Sequence, residues 1–111
     1  MDKLEYYHQV IEKVLIEYTK IPYSHGQIDT KLIIDKYENN YLLINIGWDG
    51  KRRVHGCLVH LEIIDGKIWI QRDGTEEGIA NEIVAKGIPK EQIVLAFHPP
   101  EIRQYTEYAV T

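Results

Sequence analysis

An α+β fold in a single domain spanning residues 1–111 is what this sequence predicts, on three observations. The chain length, 111 residues, suits one small core. The first 20 residues carry a helical apolar period, whereas residues 28–73 carry a period of two divided by turn signals. A second helical pattern and one more apolar run then follow, so helices and strands are segregated rather than alternating. The expected architecture is an antiparallel four- to five-stranded meander, with an N-terminal helix and a second helix packed on one face.

In residues 2–20, Leu4, Tyr7, Ile11, Val14, Leu15 and Tyr18 recur at spacings of three and four and define one apolar helix face. Pro22 and the turn chemistry of Ser24-His25-Gly26 end that helix. Strands are expected over 28–36, 41–48, 52–64 and 67–73, with turns at Glu38-Asn39-Asn40, Asp49-Gly50 and Asp65-Gly66. An Asp-Gly pair between strands signals a hairpin, because a type I′ turn needs the positive φ that Asp and Gly tolerate. The second helix is expected to start at Thr75, whose hydroxyl can cap free N–H groups, and to end at Gly87 ahead of Pro89. Ile93 to Phe97 is an unbroken apolar run of the kind buried on both faces, and His98-Pro99-Pro100 terminates it. The tail from Tyr105 to Thr111 is read as an edge strand or a docked end.

Composition narrows the function. Thirteen basic residues against 17 acidic ones give a net charge of −4, a field that repels phosphate polymers, so non-specific DNA binding is not expected. A single cysteine, Cys57, allows no intrachain disulfide, and MDKLEYYHQ lacks the apolar core of a signal peptide. The expectation is a cytoplasmic protein with no membrane span.

Five sets of side chains could carry function. Asp73, Glu76 and Glu77 cluster between strand and helix. Acids in a first helical turn gain about 0.3 to 1 kcal/mol each from the macrodipole, which accounts for them as punctuation, with an acidic rim for a partner as their functional reading. The alternative is a small hydrolase-like site of His60, Asp73 and Glu76: a two-residue turn at Asp65-Gly66 would set His60 opposite Gln71, with Asp73 diagonal to it on the same face. No nucleophile accompanies that set. His55, Cys57 and His60 have zinc-ligand chemistry, but strand alternation puts 55 and 57 on one face and 60 on the other, so they cannot converge without a bulge. Neither a metal site nor a cofactor is expected. Lys51, Arg52 and Arg53 at a hairpin tip form the densest basic cluster, a possible DNA or partner contact. Tyr6 and Tyr7 with Tyr105 and Tyr108 are candidates for an aromatic interface.

The run NIGWDGKRRVHGCLVHLEIIDGKIWIQRDGTEEGIANEIVAKGIPKEQIVLAFHPPEIRQYTEYAV, residues 45–110, and the start MDKLEYYHQVIEKVLIEY resemble the XisI family, the fdxN element excision controlling factors of cyanobacteria. The resemblance covers essentially the whole chain. It implies an accessory role in programmed site-specific DNA excision, where a recombinase removes an element from a nitrogen-fixation gene during heterocyst differentiation. It also implies an XisH-like partner, of restriction-endonuclease-like fold, and contact with a recombinase complex. The family offers no catalytic motif to carry over, so the resemblance assigns no active site and favours a non-enzymatic regulator working by protein–protein contacts. A homodimer is the expected oligomeric state, since small domains gain stability by pairing.

Overall fold

The computed structural model describes residues 2–22 and 26–111, so Ser24 and His25 of the expected turn lie outside the described residues. Helix α1 spans Lys3–Tyr18. Asp2 caps it, its Oδ1 accepting from the Glu5 N–H at 2.8 Å, which satisfies one of the free donors of the first turn. Its buried stripe is Tyr7, Val10, Ile11, Val14 and Leu15: Tyr7, Ile11, Val14 and Leu15 are on the predicted face, Val10 joins them, and Tyr18 is only half-buried. Leu4, also on the predicted stripe, is exposed.

Five strands follow: β1 Gln27–Asp35, β2 Asn40–Asp49, β3 Arg52–Ile64, β4 Lys67–Asp73 and β5 Ile93–Leu95, in spatial order β1-β2-β3-β4-β5. The first four pair antiparallel, close to the expected ranges. β5 pairs parallel to β4, so the sheet is mixed rather than a pure meander. Parallel pairing needs a crossover, and α2 (Ile79–Ala85) supplies it. β5 is also shorter than the apolar run that predicted it: Ile93, Val94 and Leu95 are buried, but Phe97 lies beyond the strand and is exposed.

Turn chemistry sets the hairpins. Asp65 and Gly66 have φ of 49° and 77°, so Ile64 pairs with Lys67 across the two-residue turn that the sequence predicts. At the β2–β3 hairpin the loop residues are Gly50 and Lys51, one position later than expected, because Asp49 pairs with Arg52.

Two bulges break the registers. Leu43 pairs with Val59 but Ile44 with Cys57, leaving Leu58 as the extra residue in β3. Leu61 pairs with Ile70 but His60 with Arg72, leaving Gln71 as the extra residue in β4. The expected pairing of His60 with Gln71 is therefore corrected by one residue, and Asp73 comes opposite Val59.

The core lies between one face of the sheet and the two longer helices. Leu43, Val59, Leu61, Ile68 and Ile70 from the strands meet Ile11 and Leu15 of α1 and Ile79 and Ile83 of α2, all with no exposed surface. Past Ile88, a 3-10 turn at Lys90–Gln92 leads into β5. The chain ends with α3, Pro100–Arg103, and a tail whose Ala109 bridges in parallel to Val94. Arg103 holds this segment down: its guanidinium lies 5.5 Å from the Trp69 ring and donates to the carbonyls of Leu95, Ala96, His98 and Val110.

β1 approaches β2 closely at one point. A Cβ on Gly47 would lie 1.9 Å from the Gln27 carbonyl oxygen, backbone that cannot swing aside. Gly47→Ala should therefore pry the start of β1 from the sheet and cost about 1 to 3 kcal/mol in urea unfolding. Unchanged stability would mean that the two strands do not pack this closely.

Candidate interaction surface

Alternation gives the sheet two unlike faces. The helix-covered face carries Tyr41 and Leu43 of β2, both buried. The other face carries Leu42, Ile44, Ile46 and Trp48 of the same strand, none of them fully buried. Ile33 of β1 pairs with Leu42 and extends this apolar spine; it is 48% exposed, and Trp48 is 50% exposed. The C-terminal segment covers only the far end, over Trp69 and Val94. Among the described residues nothing covers the spine itself. Leu42 to Trp48 was missed as a site, although the sequence signal was present: "YLLI" is apolar in both phases of a strand, the same signature that marked residues 93–97.

The acids at the corner have an architectural role. The Gln71 bulge turns Asp73 onto the helix-covered face, opposite Val59. There Oδ1 accepts from the N–H and hydroxyl of Thr75 at 2.9 and 2.6 Å, while Oδ2 accepts from the Ile79 N–H at 2.7 Å. Thr75 is thus not the cap of α2; the helix starts four residues later and Asp73 reaches across the loop to its N-terminus. Glu76 and Glu77 are exposed on the loop, open to a partner as the acidic-rim reading requires. They border a shallow cleft of about 630 Å³ with Glu17, Tyr18 and Glu82.

The same bulge separates the pieces of the hydrolase-like alternative. His60 lies on the open face, paired with Arg72 and hydrogen-bonded through Nε2 to Asn40 Oδ1 at 2.9 Å, whereas Asp73 lies on the helix side. The Leu58 bulge corrects the other expectation: with Leu58 and Val59 both turned toward the core, His55, Cys57 and His60 share the open face after all. Their strand partners are Ile46, Ile44 and Leu42, so they flank the apolar spine. Burial pushes the Cys57 thiol up, which keeps it protonated.

The basic tip is partly engaged. Arg52 pairs with Asp49 at 3.4 Å, and the Arg53 guanidinium sits 5.1 Å from the Trp48 ring, while Lys51 is exposed at the turn. The four candidate tyrosines do not converge. Tyr7 is 3% exposed and belongs to the core, which removes it from any interface. Tyr6 donates to the Lys86 carbonyl at 2.6 Å and ties α1 to the end of α2. Tyr108 packs against the core near Lys90, leaving Tyr105, at the far C-terminal end, as the fully presented one.

Two measurements check the corner. Asp73→Ala, which strands the Thr75 and Ile79 donors, should cost about 2 kcal/mol, and Thr75→Ala distinctly less; equal losses would show that the carboxylate is not the organising group. The second concerns Tyr18, whose phenol is pushed up by burial and by its hydrogen bond to Glu82. The unfolded chain ionises near the ordinary value of 10.0 while folded Tyr18 keeps its proton, so this stabilisation is complete below pH 10 and is lost as the pH rises beyond it. Thermal unfolding from pH 8 to 11 should fall less steeply in Tyr18→Phe than in the parent; parallel curves would refute the coupling.

The XisI protein family profile matches residues 1–110. Two solved structures superpose over 99% of this chain and 100% of theirs. One is a XisI-like protein from Anabaena variabilis ATCC 29413, 37% identical with a TM-score of 0.87. The other is the fdxN element excision controlling factor XisI from the same organism, 39% identical with a TM-score of 0.79. Among curated proteins there is no match. A match along nearly the whole chain, together with this likeness in fold and sequence, places the protein in the XisI family.

Proposed function

We propose that this protein is a non-enzymatic regulatory factor of programmed, site-specific DNA excision in a cyanobacterial cytoplasm, and that it acts by docking the open face of its sheet onto another protein. The observation that carries the reading is the spine of Leu42, Ile44, Ile46 and Trp48, held half-exposed on a rigid sheet. A two-layer domain gains nothing from aliphatic side chains on its water-facing side, and contiguous exposed apolar surface rimmed by polar residues is the mark of a protein contact. His55, His60, Glu62 and Arg72 form that rim. The relative called an excision controlling factor supplies the process, and an XisH-like protein or a recombinase complex is the partner this reading names.

The hydrolase-like alternative is disfavoured by the separation of His60 from Asp73 across the sheet. Direct DNA contact through Lys51, Arg52 and Arg53 is disfavoured by Asp49, which already pairs with Arg52.

The test is co-purification of the chain with the XisH-like product of a neighbouring gene. A complex with Kd of about 1 µM or tighter is expected, weakened at least about tenfold by Ile44→Glu or Ile46→Glu with the melting temperature held. Separate elution at about 10 µM would overturn the proposal. So would DNA binding that falls steeply with salt and is lost on charge reversal at residues 51–53, the behaviour of a direct DNA binder.

A further inference from the structure

The two edges of the sheet are treated differently. Beyond β5, Ala109 bridges to Val94 and its N–H donates to the Ile93 carbonyl, so that edge is closed by the chain's own tail. β1 pairs only with β2, and among the described residues no backbone hydrogen bond reaches its free side. It is nine residues long and carries no proline, so it presents a template for strand pairing.

We infer that β1 is a self-association edge: two copies pair antiparallel through it about a twofold axis at Ile33, joining their sheets into one. The segment Lys31-Leu32-Ile33-Ile34-Asp35 is complementary to itself in reverse. With the axis at Ile33, Lys31 of each copy stands opposite Asp35 of the other, Leu32 opposite Ile34, and Ile33 opposite Ile33. Side chains directly opposite share a face, so the two ion pairs flank the Ile33 pair on the open face, while the Leu32–Ile34 pairs lie on the helix side. Neighbouring registers fail on charge: an axis at Lys31 opposes the two lysines, and one at Leu32 opposes Asp29 to Asp35. An axis at Thr30 does match Asp29 with Lys31, but it leaves exposed Ile33 facing Gln27 and uses only the first part of the strand.

A charged residue usually protects an edge strand from pairing. Here Lys31 and Asp35 admit one partner, an identical strand in one register. The free edge of β3, beyond the end of β4, contrasts with this: Arg52, Arg53 and His55 there have no acidic residue to meet in a second copy. Pairing at Ile33 also lengthens the open face, because Ile33 adjoins Leu42 and the two spines then meet at the axis.

Sedimentation of the full chain over about 1 to 100 µM tests this. A dimer is expected. Lys31→Asp or Asp35→Lys alone sets like charges opposite each other at both ends and should weaken it at least about tenfold; the combined exchange should return Kd to within about threefold of the parent. Asp35 also accepts from the Tyr37 N–H at 2.9 Å and from Asn40 in its own hairpin, so Ile33→Lys, which touches neither, serves as a second disruptor, with circular dichroism confirming the fold. A monomer throughout, a dimer insensitive to the single changes, or failure of the exchange to restore it would overturn the inference. Restoration by Asp29→Lys with Lys31→Asp would overturn the register.

Discussion

The carboxylate of Asp73 joins the two layers of this molecule. One oxygen holds Thr75 and the other holds the Ile79 N–H, so a single side chain ends β4, shapes the loop and satisfies a free donor at the start of α2. That geometry depends on the bulge at Gln71. In an unbroken register Asp73 would point to the open face and α2 would begin without it; the extra residue turns it inward, opposite Val59. β5 depends on the result, because α2 is the crossover that returns the chain parallel to β4.

The bulge at Leu58 works in the same way on the neighbouring strand. It lets Leu58 and Val59 both face the core, and Leu58 then accepts a hydrogen bond from the Gly74 N–H at 2.8 Å, directly beneath the corner. What remains for the open face is residue 57 and those before it in the opposite phase, which aligns His55, Cys57 and His60 beside the spine of β2. The corner and the rim that flanks the β2 spine are therefore two consequences of the same pair of irregularities. One face is organised by a half-buried carboxylate cap, the other by aliphatic side chains that none of the described residues covers.

This division also bears on the proposed docking role. Rigid sheets present side chains in fixed rows, so recognition needs no ordering of loops on binding. The tail under Arg103 covers Trp69, and among the described residues nothing covers the β1–β3 portion of the face. A spine of half-exposed aliphatics with a polar rim can be read by another protein at small entropic cost, which suits the proposed regulatory role.

Local chemistry was enough to read most of the architecture. Proline, glycine and Asp-Gly pairs act within a few residues, and apolar periods of 3.6 and two follow from helix and strand geometry, so α1, the four antiparallel strands and the end of α2 near Gly87 could be read along the chain. The family resemblance was legible too, but in the residue run 45–110 and the start of the chain, not in periodicity or turn chemistry. Residue identity alone did not decide which face a side chain took once a bulge intervened. Inserting one unpaired residue costs little locally and inverts every position after it, and whether that happens depends on packing between distant strands. Hence His60 and Asp73, neighbours on paper, lie on opposite sides of the sheet, Tyr7 belongs to the core, and the spine of β2 emerged as a surface only because no helix among the described residues lies over it.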